Sequence, residues 1–107
     1  MQLISADGIK SRLDAGQRLL LVDTRLPEYF AEGHIPGAIL GTSDTILERA
    51  PTLLPDKMAD IAVYCGSADC KRSLRAAERL ENLGYKNVFR YVEGLEDWAS
   101  HGFAVTT

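Results

Sequence analysis

Ile61-Ala62-Val63-Tyr64-Cys65-Gly66-Ser67-Ala68-Asp69-Cys70-Lys71-Arg72-Ser73 is an apolar run that stops at a cysteine, enters a short polar loop and then reads as a helix. The thiol of Cys65 therefore has a strand behind it and a helix N-terminus ahead. Unpaired backbone N–H groups at a helix start, with the positive end of the helix dipole beneath them, favour an anion. A thiolate is such an anion, so this placement predicts that Cys65 is a nucleophile with a pKa below the value of about 8.5 for a free thiol. Gly66 supplies the backbone freedom a tight loop requires, and Lys71 and Arg72 add positive charge at its far end. The same segment also reads as a buried structural cysteine followed by an ordinary strand-to-helix turn, because free cysteines are among the most buried residues. From this stretch alone both readings stand.

Around this segment, composition narrows the class. A chain of 107 residues is expected to form one domain spanning residues 1–107, large enough to bury a core without metal or disulfide support. Hydrophobic residues at 46% and charged residues at 25% are those of a soluble globular protein. A net charge of −3 with no basic stripe argues against a nucleic-acid partner. No segment approaches the roughly 20 apolar residues that cross a bilayer, so no membrane partner is expected. Met1-Gln2-Leu3-Ile4-Ser5 lacks a basic region followed by a long apolar run; no export signal is read there, and the expected location is cytoplasmic. Two cysteines are not a disulfide framework in that setting, and Cys65 and Cys70 lack the second pair or spaced histidines that a zinc site needs. Reactivity is the special use that remains.

Outward from the centre, the chain alternates strands and helices. Ser5 is placed to cap a helix through Ala6, Ile9 and Leu13 that Gly16 ends. Leu19-Leu20-Leu21-Val22, apolar on both faces, suits a buried parallel strand. Asp23-Thr24-Arg25 follows at its C-terminal end, where open α/β sheets place ligand sites. Asp23 and Arg25 are candidate supporting residues, although the pair also reads as an aspartate capping the next turn and an arginine in solvent, which for Arg25 is the reading preferred to a catalytic role. Pro27–Phe30 reads as a short helix, 33–38 as a loop in which His34 holds backbone, and Ala38-Ile39-Leu40 as a strand. Thr42 to Ala50 is expected to be helical, and Pro51 to Asp60 a loop. After the central strand at 61–64 comes the strongest helical pattern, with Leu74, Ala77, Leu80 and Leu83 on one face and Gly84 at its stop. Val88–Val92 is a strand, and Gly94–Ala99 opens a last helix that turns Trp98 inward. This order implies crossover connections and a mainly parallel sheet covered on both faces.

Read together, these segments resemble the rhodanese-like domains. The matches are Leu21-Val22-Asp23-Thr24-Arg25; Glu28 to Ala38, including Gly33-His34-Ile35-Pro36-Gly37-Ala38; Val63-Tyr64-Cys65; Arg72-Ser73; Gly84-Tyr85-Lys86-Asn87-Val88; and Glu93-Gly94-Leu95-Glu96-Asp97-Trp98. They run in family order over nearly the whole chain. The resemblance implies an α/β three-layer sandwich with a mainly parallel sheet of about five strands and helices on both faces.

It also implies a sulfurtransferase of the thiosulfate type. Cys65 would take a sulfane sulfur from a donor such as thiosulfate, hold it as a persulfide and pass it to a thiophilic acceptor, a thiol or a protein in the cell. Gly66, Ser67, Ala68, Asp69, Cys70, Lys71 and Arg72 would form the loop around that sulfur. Arg72, at the family's loop-closing arginine, would hold an oxyanion or brace the loop carbonyls with its planar fork. The resemblance implies no cofactor and no metal, because the sulfur travels on the enzyme. The chain departs from the pattern in three places: the loop from Cys65 to Arg72 is longer than the family's, Asp69 puts a negative charge in it, and Glu93-Gly94 stands where a double glycine is usual. A cysteine phosphatase or arsenate reductase on the same fold, and a non-catalytic partner-binding module, are the alternative functions. Cys70, which the family pattern does not supply, reads either as a small apolar residue near the helix start or as a thiol able to attack the Cys65 persulfide.

Overall fold

Five strands form one sheet in a computed structural model that describes all residues, Met1–Thr107. They are β1 (Gln2–Leu3), β2 (Leu20–Asp23), β3 (Ile39–Leu40), β4 (Asp60–Tyr64) and β5 (Asn87–Tyr91), arranged in the order β1-β5-β4-β2-β3 with every neighbouring pair parallel. The helices are α1 (Ala6–Asp14), α2 (Pro27–Glu32), α3 (Ile46–Leu53), α4 (Arg72–Asn82) and α5 (Gly94–Ser100), with a 3-10 turn at Ser43–Thr45 before α3. This is the expected α/β sandwich.

The direction of each crossover decides which face its helix covers. The connections from β1 to β2 and from β2 to β3 run one way across the sheet, whereas those from β3 to β4 and from β4 to β5 run the other. Crossovers of one hand that travel in opposite directions must lie on opposite faces. Accordingly α3 and α4 pack Ile46, Ala50, Ala76, Ala77 and Leu80 on Val22, Ile61, Val63 and Val88. On the other face Ala6 and Ile9 of α1 and Trp98 of α5 pack with Leu21, Ala62, Tyr64 and Tyr91. Strand β4 is thus buried on both sides, and each of its fully buried aliphatic side chains contributes about 2 kcal/mol of transfer free energy.

Between β2 and β4 the chain leaves in opposite directions, toward β3 and toward β5. That is the topological switch point, where a crevice opens beyond the carboxyl ends of the strands. Asp23 ends β2 there, and Tyr64 ends β4 one residue before Cys65. The two ends are tied, because the Tyr64 carbonyl accepts both the N–H and the hydroxyl of Thr24, each at 2.9 Å.

Three local expectations need correction. The chain begins with a strand, β1, which has only two residues and one of them, Leu3, is 71% exposed; it is held by parallel pairing to β5 rather than by an apolar pattern. The expected helix over 42–50 starts as a 3-10 turn and then runs as α3 through Pro51 to Leu53. Pro51 and Leu47, whose carbonyl loses its helical donor, both lie on the exposed side of the helix. Burial of Leu54, whose N–H reaches Ala50 O at 2.7 Å, carries the turn past the proline. In α4 the buried stripe is Ser73, Ala76, Ala77 and Leu80, with Leu74 half-exposed. Ser73 displaces Leu74 from that stripe because its hydroxyl has partners beneath the helix.

Candidate functional site

Cys65 lies at the switch point, wholly buried, at the carboxyl end of the central strand. Gly66 to Lys71 form the loop that follows, and Arg72 is the first residue of α4, as expected. Within the loop the Cys70 N–H reaches Ser67 O at 3.2 Å, closing a turn.

The first two carbonyls of this loop are held from α5. Leu95 N–H donates to Cys65 O at 2.8 Å and Glu96 N–H to Gly66 O at 2.9 Å. Gly94 makes the approach possible: its φ is +74°, and a Cβ there would lie 2.4 Å from Cys65 O. The single glycine of Glu93-Gly94 therefore supplies the close contact, and no second glycine is required at position 93.

The sulfur has mixed company. Its Sγ lies 3.4 Å from Cys70 O, 3.7 Å from Ser73 Oγ and 3.9 Å from Ser67 O. Two of these neighbours are carbonyl oxygens, which accept from a thiol and repel a thiolate. Burial pushes the Cys65 thiol up from its ordinary value and the adjacent Cys70 thiol adds to that push, while the backbone N–H and hydroxyl of Ser73 pull the other way without reversing it. The expected lowering of the thiol pKa by the helix start is overturned for this resting loop, because desolvation outweighs the two donors. A raised pKa means that the thiolate fraction, and with it the rate, grows as pH rises. Alkylation of Cys65 in a Cys70→Ser protein is expected to accelerate with pH past the ordinary thiol value of about 8.5. A plateau below that value would reinstate a thiolate at rest.

The supporting residues are placed as follows. Asp23 is fully buried and binds Arg25 through both oxygens, with Nη2 to Oδ2 at 2.7 Å and Nε to Oδ1 at 3.0 Å. Its Oδ1 also accepts the Arg25 N–H at 3.0 Å, so the turn-capping reading of Asp23 holds as well. Arg25 is not a solvent arginine: its side chain is 13% exposed and Nη2 also donates to Gly33 O at 2.6 Å. Burial alone would lower its pKa, but the hydrogen bonds and charge of Asp23 hold it above the ordinary value. Arg72 turns away from the loop carbonyls and donates to Ser43 Oγ at 3.2 Å and Asp44 Oδ1 at 3.0 Å. The expectation that it braces those carbonyls is not met, because Asp44, distant in sequence, offers a charged acceptor. His34 holds backbone, with Nδ1 2.8 Å from Phe30 O and its ring stacked on Phe30.

Three clefts border the loop: the one of about 510 Å3 takes in Arg25, Glu32, Gly66 and Glu96, and two smaller ones complete the set. One of about 240 Å3 is lined by Arg25, Tyr29, Gly66, Ser67, Cys70 and Arg72. The other, about 300 Å3, gathers Asp69 with Glu93, Glu96 and Asp97, together with Ser67, Ala68 and Ser100. Asp69 thus faces the acidic side and not the cleft of the two arginines, and Lys71 is exposed to solvent. Three contributors escaped the sequence reading: Ser73 and Arg90, whose Nε donates to Ser73 Oγ at 3.0 Å, and Gly94 as the seat of the loop.

A cysteine at the switch point of a parallel sheet, ringed by a loop that runs into a helix, defines an α/β domain built around one thiol. The chain belongs to the family of rhodanese-like domains, whose model matches residues 5–101. It is 32% identical over 102 residues to a sulfurtransferase of Allochromatium vinosum, covering 95% of this chain and 92% of that one. It is 36% identical over 78 residues to the thiosulfate sulfurtransferase PspE of Escherichia coli, covering 73% and 72% of the two chains. Among solved structures, the BH2092 protein of Bacillus halodurans superposes with a TM-score of 0.91 at 26% identity, over 98% of this chain and 76% of that one.

Proposed function

We propose that this protein is a sulfurtransferase that carries sulfane sulfur on Cys65, from a donor such as thiosulfate to a thiol or protein acceptor. The observation that supports the reading best is that the loop whose Ser67 and Cys70 carbonyls face Cys65 Sγ also lines the cleft of Arg25 and Arg72. Even with Arg25 paired to Asp23 and Arg72 to Asp44, their remaining N–H groups suit the oxygens of an anionic donor, and Asp69 lies outside their cleft.

In this reading the Cys65 proton passes to solvent and the thiolate attacks the outer sulfur of thiosulfate. The sulfur–sulfur bond of the donor breaks, sulfite leaves with the electron pair, and a persulfide remains on Cys65. An acceptor nucleophile then attacks the outer sulfur and the Cys65 thiolate leaves, so no net redox change occurs on the enzyme. Intact mass after incubation with thiosulfate is expected to show one added sulfur, mapped to the peptide holding Cys65. No added mass under conditions in which a rhodanese control is loaded would refute the assignment.

Cys70 modifies the expectation when no acceptor is present. Cys70 shares the loop, and its carbonyl lies 3.4 Å from the Cys65 sulfur. Attack by the Cys70 thiolate on Cys65 Sγ would form a disulfide and release the outer sulfur as hydrosulfide, after which a dithiol reductant must supply two electrons to reset the pair. The loaded protein, held without reductant, is expected to release sulfide and yield a Cys65–Cys70 crosslink in peptide mapping. A stable persulfide whose lifetime is the same in Cys70→Ser would eliminate this role.

A further inference from the structure

Arg90 is a buried cation without an anion. Two charged side chains lie in the interior, and Asp23 has Arg25 as its partner. Arg90, 8% exposed at the fourth position of β5, has no carboxylate. Its Nε donates to Ser73 Oγ, and its Nη2 has no partner at all. An uncompensated buried charge is costly, so such an arrangement points to an anion that the site acquires at some stage of its work.

The geometry indicates which anion. A guanidinium only donates, so Arg90 occupies Ser73 Oγ as an acceptor and leaves the serine hydrogen free to turn elsewhere. Cys65 Sγ stands 3.7 Å from that oxygen, while the single thiol hydrogen has a nearer acceptor in Cys70 O at 3.4 Å. The hydroxyl hydrogen is thereby directed at the sulfur. We propose that Arg90 is a positioning residue for Cys65: it orients the Ser73 hydroxyl as a donor to the sulfur and supplies the buried positive charge against which the sulfur anion is held. The proposal rests on Cys65 being the sulfur carrier and deepens that reading.

Other charged and titratable groups near the sulfur are Cys70 of its own loop, Tyr64 before it, and Arg25 with Asp23 from the end of β2. Arg72 opens α4 beside the cleft, and Glu96 of α5 meets the loop through its N–H. Arg25 is already matched by Asp23 and Arg72 by Asp44, which leaves Arg90 as the uncommitted charge.

The test uses a Cys70→Ser background, in which Cys65 is the one thiol, and compares Arg90→Met, Arg90→Lys and Ser73→Ala by iodoacetamide alkylation across the thiol titration range. Arg90→Met is expected to melt no lower than its parent, since an apolar side chain of similar volume replaces an unpaired ion. Its alkylation at neutral pH is nevertheless expected to slow about tenfold, with the whole profile moved to higher pH. Arg90→Lys retains the charge and is expected to recover part of that rate. Ser73→Ala keeps Arg90 but cuts its link to the sulfur and is expected to slow alkylation as well. A profile for folded Arg90→Met that superimposes on the parent's overturns the proposal; if that variant does not fold, a Ser73→Ala profile identical to the parent's overturns it alone. Alkylation needs no sulfur donor, so this result is independent of the thiosulfate mass experiment, whose failure would instead refute the carrier role.

Discussion

Cys65→Ser is expected to abolish sulfur transfer, lowering thiosulfate:cyanide turnover at least about a thousandfold with the fold intact. Serine is nearly isosteric, and its hydroxyl can donate to the Cys70 carbonyl that now lies 3.4 Å from the sulfur. What it cannot do is form and release a bond to sulfane sulfur, for its oxygen ionises far above the range in which a thiol does. Melting temperature should therefore stay close to the parent's while turnover disappears. Turnover comparable to the parent's would move the chemistry to another group, with Cys70 the first to examine.

The second large effect belongs to a residue that performs no chemistry. Gly94→Ala places a Cβ 2.4 Å from Cys65 O and 2.9 Å from the Gly66 carbonyl carbon, on a backbone whose φ is +74°. Both obstacles are backbone, so neither yields by a side-chain rotation. The left-handed conformation and the clash together are expected to cost about 3 kcal/mol, or a fall in melting temperature of roughly 15 °C. Turnover should fall with it, because Leu95 and Glu96 can no longer hold the first two loop carbonyls. Gly16→Ala is the control: its φ is +72° but nothing lies within 4 Å of its Cβ position, so it should lose only the backbone part, about 1 kcal/mol. Equal melting temperatures for the two variants would show that the loop does not lean on α5.

Much of this architecture was legible because the chain is punctuated clearly. Leu19 to Val22 and Ile61 to Tyr64 are apolar on both faces, which parallel strands in a covered sheet require, and Gly16 and Gly84 stand at helix stops with positive φ. Cys65 was legible for the same reason, as the first residue after the central strand. What escaped depends on partners far away in sequence. Arg72 finds Asp44 and Arg25 finds Gly33 O only once the elements assemble. The direction in which the Cys65 thiol shifts is not legible locally, because helix position can be read from neighbouring residues whereas burial is a product of packing. Arg90 did leave a signal: a charge in the middle of Val88–Val92, a strand otherwise suited to burial, calls for an explanation from the residues alone.

The dependence of the Cys65 loop on α5 has a consequence for biosynthesis. Synthesis proceeds from the N-terminus, so β4 and its cysteine emerge while β5 and α5 are still to be made. Until then β1 lacks its neighbour in the sheet, and the carbonyls of Cys65 and Gly66 lack the amides of Leu95 and Glu96. Cys65 is thus made well before the cradle that shapes it, and a nascent chain carries an unorganised thiol there. On the proposed function, sulfur-carrying competence then arrives as a late event of assembly, coincident with the docking of the last helix.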